Sequence, residues 1–163
     1  MQQLNLPAYD HKLKHSAEKS FIYDIIRRKY VALTPEEWVR QHMIHYLILN
    51  RQYPKSLLAV ERGLSYNQLA KRTDVCLYGN NALPLMLIEC KASHVAISSA
   101  TVQQAIVYNK TLKANYLVLT NGLNHFCWEV NRHTGHLKPL SEIPLYHQLK
   151  SGKDYSKAEE GND

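Results

Sequence analysis

Residues 73–92 read TDVCLYGNNALPLMLIECKA, and this stretch decides the centre of the fold. Two apolar runs, VCLY and LPLMLI, are joined by the turn-forming sequence GNNALP, so the stretch predicts a β-hairpin. Alternate residues of a strand lie on one face, so Glu89 and Lys91 project to one side of the second strand and Cys90 to the other. The hairpin also brings Asp74, at the start of the first strand, beside Glu89.

Asp74, Glu89 and Lys91 together predict a metal-dependent nuclease site. Two adjacent carboxylates bind a hard divalent cation through oxygen, and a neighbouring ammonium can orient or activate water and offset phosphate charge. The structural alternative is that Asp74 pairs with Arg72, and Glu89 with Lys91, as plain ion pairs. A charged residue in a run as apolar as LMLIECKA must be paired, bind metal or lie at the strand's end, because an uncompensated buried charge is very unfavourable.

The distribution of charge along the chain favours the nuclease interpretation. Between Trp38 and Trp128 the only acidic residues are Glu61, Asp74 and Glu89, among nine lysines and arginines. An ordinary solvated surface would scatter carboxylates among the basic residues. The formal net charge of +6 and the pI of about 9.2 favour a polyanionic partner, although they also fit a basic protein that has none.

Length and composition predict one soluble domain. A chain of 163 residues can bury a sufficient core without cross-links. The three cysteines are widely spaced and odd in number, which indicates reduced core residues of a cytoplasmic protein. The N-terminus has no apolar signal core, and the apolar runs are far shorter than the roughly 20 residues that cross a bilayer. We therefore expect a cytoplasmic protein without a membrane partner.

The chain divides into an expected irregular arm over residues 1–20, a single domain over residues 21–148, and a polar, disordered tail over residues 149–163. Near the start of the domain, TPEE predicts the beginning of a helix. Thr34 is suited to the N-cap, Pro35 to the first helical position, and Glu37 to completing a capping box. We expect this helix to end at about Asn50.

Before this helix, FIYDIIRRKYVAL mixes aromatic and β-branched residues, which predicts one or two extended pieces. After it, the pattern predicts three strands, a helix and two more strands. The first helix should bury a stripe formed by Val39, Met43, Tyr46 and Leu47. Strands are expected in SLLAVERGL, TDVCLYG and LPLMLIECKA, and a second helix from about Ser98 to Lys113. NYLVLT and HFCWEV are further strand-like runs, separated by a turn at Asn121-Gly122.

This αβββαβ order resembles the PD-(D/E)xK nuclease superfamily, which has a restriction-endonuclease-like fold with a mixed central sheet flanked by helices. The segments PEEWVRQ, KRTDVCLYG, LMLIECKA, QQAIVYN and YLVLTNG are more closely similar to the N-terminal nuclease domain of the type I restriction enzyme R protein and its small stand-alone relatives. The resemblance covers roughly Phe21 to Val130. It rests on five blocks in order, which are much more specific than Glu89-x-Lys91 alone.

The resemblance implies a role for each residue of the site. Asp74 and Glu89 would be metal ligands, with the carbonyl oxygen of Cys90 as a third, and Lys91 would be the catalytic lysine. Thr73 stands where the superfamily's name has proline. Gln104 and Tyr108, four residues apart on one helix face, would hold nucleic acid or support the lysine; alternatively, the tyrosine packs and the glutamine is solvated.

Other residues have two interpretations. Glu61 could complete the metal site or pair with a basic residue. Glu37 could be an additional metal ligand, as in some superfamily members, but its capping role explains it without metal. His42 and His45, three apart on the first helix, have no zinc-site context and are interpreted as surface or packing residues.

The function implied is Mg²⁺-dependent hydrolysis of DNA that leaves a 5′-phosphate, with Mn²⁺ as a substitute metal and RNA not excluded. The candidate phosphate contacts, each of which could equally be plain surface, are Arg40, Lys71, Arg72 and Lys110. The sequence has no Gly-rich phosphate loop, so cleavage should be ATP-independent or served by a separate motor or specificity protein. A homodimer would suit double-strand cleavage. The alternatives are a non-catalytic nucleic-acid-binding module that keeps the fold, and a structural protein whose acids only form ion pairs.

Overall fold

The computed structural model describes residues 1–60 and 74–149. Glu61, Lys71, Arg72 and Thr73, and all but the first residue of the expected tail, lie outside this range. The described part contains two helices and nine strands, with single 3-10 turns at Lys55–Leu57 and Tyr146–Gln148. The elements in chain order are β1 Leu13–Ser16, β2 Lys19–Asp24, β3 Lys29–Ala32, α1 Pro35–Leu49, β4 Leu58–Val60, β5 Val75–Tyr78, β6 Pro84–Cys90, α2 Ser99–Leu112, β7 Tyr116–Thr120, β8 His125–Val130 and β9 Leu137–Leu140.

The strands form two sheets. β4 to β9 make a six-stranded sheet in sequence order, in which β6 and β7 are parallel and the other neighbours are antiparallel. Helix α2 makes the crossover between the parallel pair, as a parallel connection requires. β1, β2 and β3 form a separate antiparallel sheet. The expected order of helix, three strands, helix and strand is therefore confirmed in α1, β4–β6, α2 and β7, within a mixed α/β fold consistent with the restriction-endonuclease-like class.

The two helices cover opposite faces of the six-stranded sheet. Val39 and Met43 of α1 pack in one apolar cluster with Ile88 of β6, whereas Ala105 of α2 packs in a second cluster with Leu87 on the other face. This alternation along β6 is the period-two pattern expected of a strand covered on both sides. The strand therefore presents Glu89 to the side occupied by α2.

The expectation of an irregular arm over residues 1–20 is wrong. Residues 13–16 and 19–24 are strands, so the irregular arm is confined to about the first dozen residues. The extreme N-terminus is also packed, because Leu4 is buried and the backbone N–H of Asn5 donates to the carbonyl of Gly122 at 2.7 Å. Short polar strands with exposed side chains, as in LKHS, lack the apolar alternation that marks a strand in a sequence.

Of the two hydrogen bonds of the capping box predicted at the start of α1, one is present. The Thr34 hydroxyl accepts from the backbone N–H of Glu37, as predicted for an N-cap. The reciprocal bond is not the one expected, because the backbone N–H of Thr34 donates to the carbonyl of Ala32. The Glu37 carboxylate is bound by basic and amide groups instead, and those contacts belong to the functional site. Neither described helix is both long and apolar enough to cross a bilayer.

Candidate active site

Asp74 and Glu89 are neighbours across the β5–β6 hairpin. The antiparallel register pairs Val75 with Ile88, which sets Asp74, one residue before β5, opposite Glu89. The backbone N–H of Cys90 donates to Asp74 Oδ2 at 2.6 Å, so the aspartate is fastened to the end of β6. The hairpin thus brings together the two carboxylates that the sequence singled out.

Glu89 is a half-buried carboxyl whose pKa is raised to about 7. Burial is the largest cause, since it disfavours the charged form, and the neighbouring Asp74 carboxylate adds to it; Lys91 acts in the opposite direction. Among residues 1–60 and 74–149, no group hydrogen-bonds or ion-pairs with the side chains of Glu89 or Lys91. Both are therefore available to a ligand.

A cleft of about 180 Å³ lies between the sheet and α2 at this point. Its lining combines the two strand residues with one face of the helix: Glu89, Lys91, Thr101, Gln104, Ala105, Tyr108 and Leu119. Gln104 and Tyr108 thus lie at the cleft, on the helix face that the sequence indicated. Thr101 was missed, although its position one turn before Gln104 places it on the same stripe. Leu119 and Ala105, the two apolar members of this lining, are buried.

Arg40 is not a surface phosphate contact, and that prediction is wrong. Its side chain is 5% exposed, and its Nη2 donates to Asp74 Oδ1 at 2.9 Å and to Glu36 Oε1 at 2.9 Å. Its Nη1 also donates to Glu37 Oε2. Burial lowers the pKa of Arg40, but Asp74 and Glu37 more than offset this, so the net shift is upward and the guanidinium stays charged. Arg40 is a fixed positive charge beside Asp74.

Charge-assisted hydrogen bonds continue from Arg40 to the three-stranded sheet. Glu37 Oε1 accepts from Gln41 Nε2 at 2.8 Å and from Arg27 Nη2 at 2.7 Å. Arg27 Nε in turn donates to Asp24 Oδ2 at 2.5 Å, and Asp24 is fully buried. Glu37 therefore joins two arginines, which replaces both the capping-box and the metal-ligand interpretations of this residue. Of these contacts, those of Arg40 and Gln41 with Glu37 have the three- and four-residue spacings that a helix brings together.

The oxygen atoms at the site suit Mg²⁺ or Mn²⁺. Burial and then the neighbouring Asp74 carboxylate raise the pKa of Glu89, and a divalent cation bound by both carboxylates would favour the charged form. Carboxylate and carbonyl oxygens, here with the Cys90 carbonyl at the strand end, are the ligands that these hard cations prefer. In the described ranges no set of three or more His, Cys, Asp or Glu side chains could hold a metal, so backbone and water would complete the shell. The Cys90 thiol is fully buried and burial raises its pKa, so it remains protonated.

Lys110 is exposed on α2, two residues beyond Tyr108, and its proposed phosphate contact stays a prediction. Glu61, Lys71 and Arg72 were predicted as metal or phosphate contacts and lie outside the described residues. Asp24, Arg27 and Glu36 are charged residues of the region that sequence reasoning did not single out.

Comparison with known proteins gives one family and one similar structure. Residues 35–144 match the profile of a family described as type I restriction enzyme R protein N terminus. No curated protein sequence matches the chain. Among solved structures, a fragment described as a putative HsdR subunit of a type I restriction enzyme from Vibrio vulnificus YJ016 is similar, with 22% identity and a TM-score of 0.41. The similarity covers 56% of this chain and 19% of that protein.

Proposed function

The chain belongs to the family of type I restriction enzyme R protein N-terminal domains, and from this membership we propose that it is a Mg²⁺-dependent endonuclease that hydrolyses DNA. The family supports the coarser statement that this is a nuclease-like domain of the restriction-enzyme kind. The metal, the substrate and the catalytic residues are the proposal.

The observation that most strongly supports the proposal is the cross-strand pairing of Asp74 with Glu89, which lines one cleft together with Lys91. The pKa of Glu89 is raised by burial and by Asp74, even though Lys91 on the same strand face and Arg40 beside Asp74 act in the opposite direction. Perturbed groups of this kind concentrate at functional sites.

In the proposed reaction Asp74 and Glu89 hold the metal ion, which when bound would neutralise phosphate charge and lower the pKa of water. Lys91 orients the attacking water or stabilises the charge that develops on the phosphate. The water attacks phosphorus, the bond to O3′ breaks, the 3′ oxygen takes up a proton, and the product keeps a 5′-phosphate. Gln104 and Tyr108 are proposed to orient the substrate from α2, and Arg40 holds Asp74 in place.

The test is cleavage of supercoiled plasmid and of single-stranded DNA with Mg²⁺, Mn²⁺ or EDTA. Asp74→Ala and Lys91→Ala should abolish nicking, whereas Lys55→Ala, an exposed lysine of the 3-10 turn before β4, should cleave like wild type. Calorimetric Mn²⁺ binding should be lost in Asp74→Ala and retained in Lys91→Ala. Wild-type protein that leaves all DNA forms intact with both metals would contradict the proposal.

A non-catalytic nucleic-acid-binding module is the second candidate, and the surroundings of Asp74 favour it. Both carboxylate oxygens of Asp74 already accept hydrogen bonds, one from Arg40 and one from the Cys90 N–H. In that case DNA binding would fall steeply with salt, no Mn²⁺ would bind, and Asp74→Ala would leave the DNA affinity unchanged.

The partners and location of the protein are part of the same proposal. A separate motor or specificity protein, a homodimer that cuts both strands, and a cytoplasmic location would all fit a restriction-type nuclease. RNA remains an alternative substrate, because backbone electrostatics hardly distinguish it from DNA. Cleavage of an RNA copy of the same single strand would separate the two substrates.

A further inference from the structure

The sheet formed by β1, β2 and β3 has one covered face and one open face. Ile22 and Asp24 of β2 are fully buried, so they point toward the protein. The residues that alternate with them on β2 point away from the protein and form the open face. Their cross-strand partners on β1 and β3 lie on the same face. Its members, with Lys12 directly preceding β1, are Lys12, Lys14, Ser16, Lys19, Phe21, Tyr23, Tyr30 and Ala32, and we call this set the open sheet face.

The aromatic residues of the open sheet face lie together. Tyr23 and Tyr30 are cross-strand partners, with ring centroids 5.3 Å apart and an interplanar angle of 66°. Tyr30 is 42% exposed. Phe21 follows on the same face of β2 and lines an open depression beside the β1–β2 turn. Tyr23 and Phe21 are half-buried, so the cluster combines one exposed ring with two partly exposed ones.

The charge of the open sheet face is positive. Its three lysines are Lys12, Lys14 and Lys19, all exposed, and Lys12 Nζ lies 5.9 Å from the ring centroid of Tyr23. The strands contribute no acidic residue to the face, but Glu18, in the β1–β2 turn, lines the same depression as Lys19 and Phe21. Aromatic rings framed by lysines complement the bases and phosphates of an unpaired strand, whereas a duplex hides its base faces.

We propose that the open sheet face binds single-stranded nucleic acid, with Tyr30 and Tyr23 stacking on bases and the lysines contacting phosphates. A three-stranded sheet is about 10 Å wide and β2 is about 20 Å long, which accommodates about three nucleotides. The contact chain from Asp24 through Arg27, Glu37 and Arg40 to Asp74 joins this sheet to the candidate active site. The proposal goes beyond the proposed hydrolysis, because it concerns a second surface that can bind whether or not the protein cleaves.

The test is the affinity for a fluorescent oligothymidylate of about 15 nucleotides, measured by anisotropy in EDTA so that cleavage plays no part. Tyr30→Ala should weaken binding about fivefold or more, since stacking on one base contributes about 1–3 kcal/mol. Tyr30→Phe keeps the ring and should bind like wild type. Phe126→Ala removes an aromatic residue that is also 42% exposed, on β8 of the other sheet, and should have no effect.

The lysines have their own readout in the salt dependence. Changing Lys14 and Lys19 together to Gln should reduce the slope of log affinity against log salt by about 1.4, or about 0.7 for each phosphate contact on a single strand. The matched control is Lys55→Gln with Lys138→Gln, which removes two exposed lysines from other elements.

Three outcomes would overturn the proposal: Tyr30→Ala binding like wild type, Phe126→Ala losing as much affinity, or the two lysine pairs having equal effects. Sedimentation tests whether the face binds a second copy of the chain instead. A concentration-dependent dimer that Tyr30→Ala dissociates, with no change in DNA affinity, would also overturn the proposal. The oligothymidylate assay measures binding in EDTA, where no metal-dependent cleavage takes place. Failure of the sheet proposal and failure of plasmid cleavage are therefore observed in separate experiments.

Discussion

Glu89 is the residue whose charge should control metal binding. Its pKa is raised to about 7 by burial and by Asp74, and a metal ion requires the carboxylate form. We expect the calorimetric affinity for Mn²⁺ to fall about tenfold per pH unit below about pH 7. Glu89→Gln should bind Mn²⁺ weakly and with a much smaller pH dependence. Equal pH dependence in the two proteins would show that another group controls binding.

Arg40 should matter more for stability than an exposed basic residue would. Removing it leaves Asp74 without its arginine partner and Glu37 with Arg27 and Gln41 alone, so Arg40→Gln should lower the free energy of unfolding by about 3–5 kcal/mol. Urea unfolding measures this. Lys55→Gln is the control, because Lys55 is exposed, and surface substitutions usually change stability by less than about 0.5 kcal/mol.

Metal provides a second readout for Arg40. A divalent cation at Asp74 replaces the missing positive charge, so Mn²⁺ should raise the melting temperature of Arg40→Gln more than that of wild type. If Arg40 were only a packing residue, Mn²⁺ would raise both melting temperatures equally.

For single residues, the sequence predicts the contacts between residues that a short turn or one element brings together. Asp74 and Glu89 could be paired from the sequence because one short turn joins their strands, and alternation then set Glu89 and Lys91 on one face. The contact between Arg40 and Asp74 spans 34 positions and requires the packing of α1 against β6. No period or spacing encodes that contact, and so Arg40 was taken for a surface residue.

In the turn between β7 and β8, Gly122 has no room for a side chain, and a substitution there tests this. Gly122 has φ +81°, and a Cβ there would lie 2.8 Å from Leu4 Cδ2 and 3.1 Å from Val39 Cγ2. Gly135 has φ +74°, but a Cβ there would have nothing within 4 Å. Gly122→Ala should therefore destabilise the protein by more than Gly135→Ala, which experiences only the backbone strain of about 1 kcal/mol.

Chemical denaturation of the two glycine variants gives the difference directly. Leu4→Ala should relieve part of the defect in Gly122→Ala, because it removes the nearest atoms, and it should leave Gly135→Ala unaffected. Equal destabilisation in the two glycine variants would mean that the N-terminal residues are not held against this turn.

The elements that were predicted correctly have strong local signals. Thr34-Pro35 begins α1, Ser98 caps α2, and the apolar runs of β6 and β7 identify buried strands. The missed strands, β1 and β9, are four residues long and lack buried side chains. Their pairing depends on backbone hydrogen bonds to a neighbouring strand, which a sequence pattern does not report.

For the molecule as a whole, an aromatic cluster fastens the N-terminal segment to α1. Tyr9 stacks on His45, with ring centroids 3.7 Å apart, and also contacts His42 edge-on. Trp38 Nε1 donates to the carbonyl of Gln2 at 3.0 Å. The histidines thus pack, as interpreted from the sequence. Because these histidines lie between the N-terminal segment and α1, their protonation should lower the free energy of unfolding.

His45 should make the protein less stable in acid. Its pKa is lowered to about 4, mainly by burial and further by the nearby charges of His42 and Lys55. Asp24 acts in the opposite direction and raises it. Because the folded-state pKa lies below the unfolded value of about 6.5, the unfolded chain takes up a proton first, and stability is lost as the pH falls from about 6.5 to 4. From pH 7 to pH 5 we expect a loss of about 1 kcal/mol from this group, after allowance for its partial exposure.

Glu89 acts in the opposite direction, and the experiment must separate the two groups. Its folded-state pKa of about 7 lies above the usual 4.5, so the folded protein binds the extra proton, and stability from this group increases as the pH falls from about 7 to 4.5. Urea unfolding at pH 7 and pH 5 should therefore be compared in a Glu89→Gln background, with and without His45→Gln. The acid-induced loss should be smaller when His45 is absent, whereas His136→Gln, an exposed residue between β8 and β9, should leave it unchanged. An equal loss with and without His45 would mean that protonation of this ring is not coupled to the attachment of the N-terminal segment.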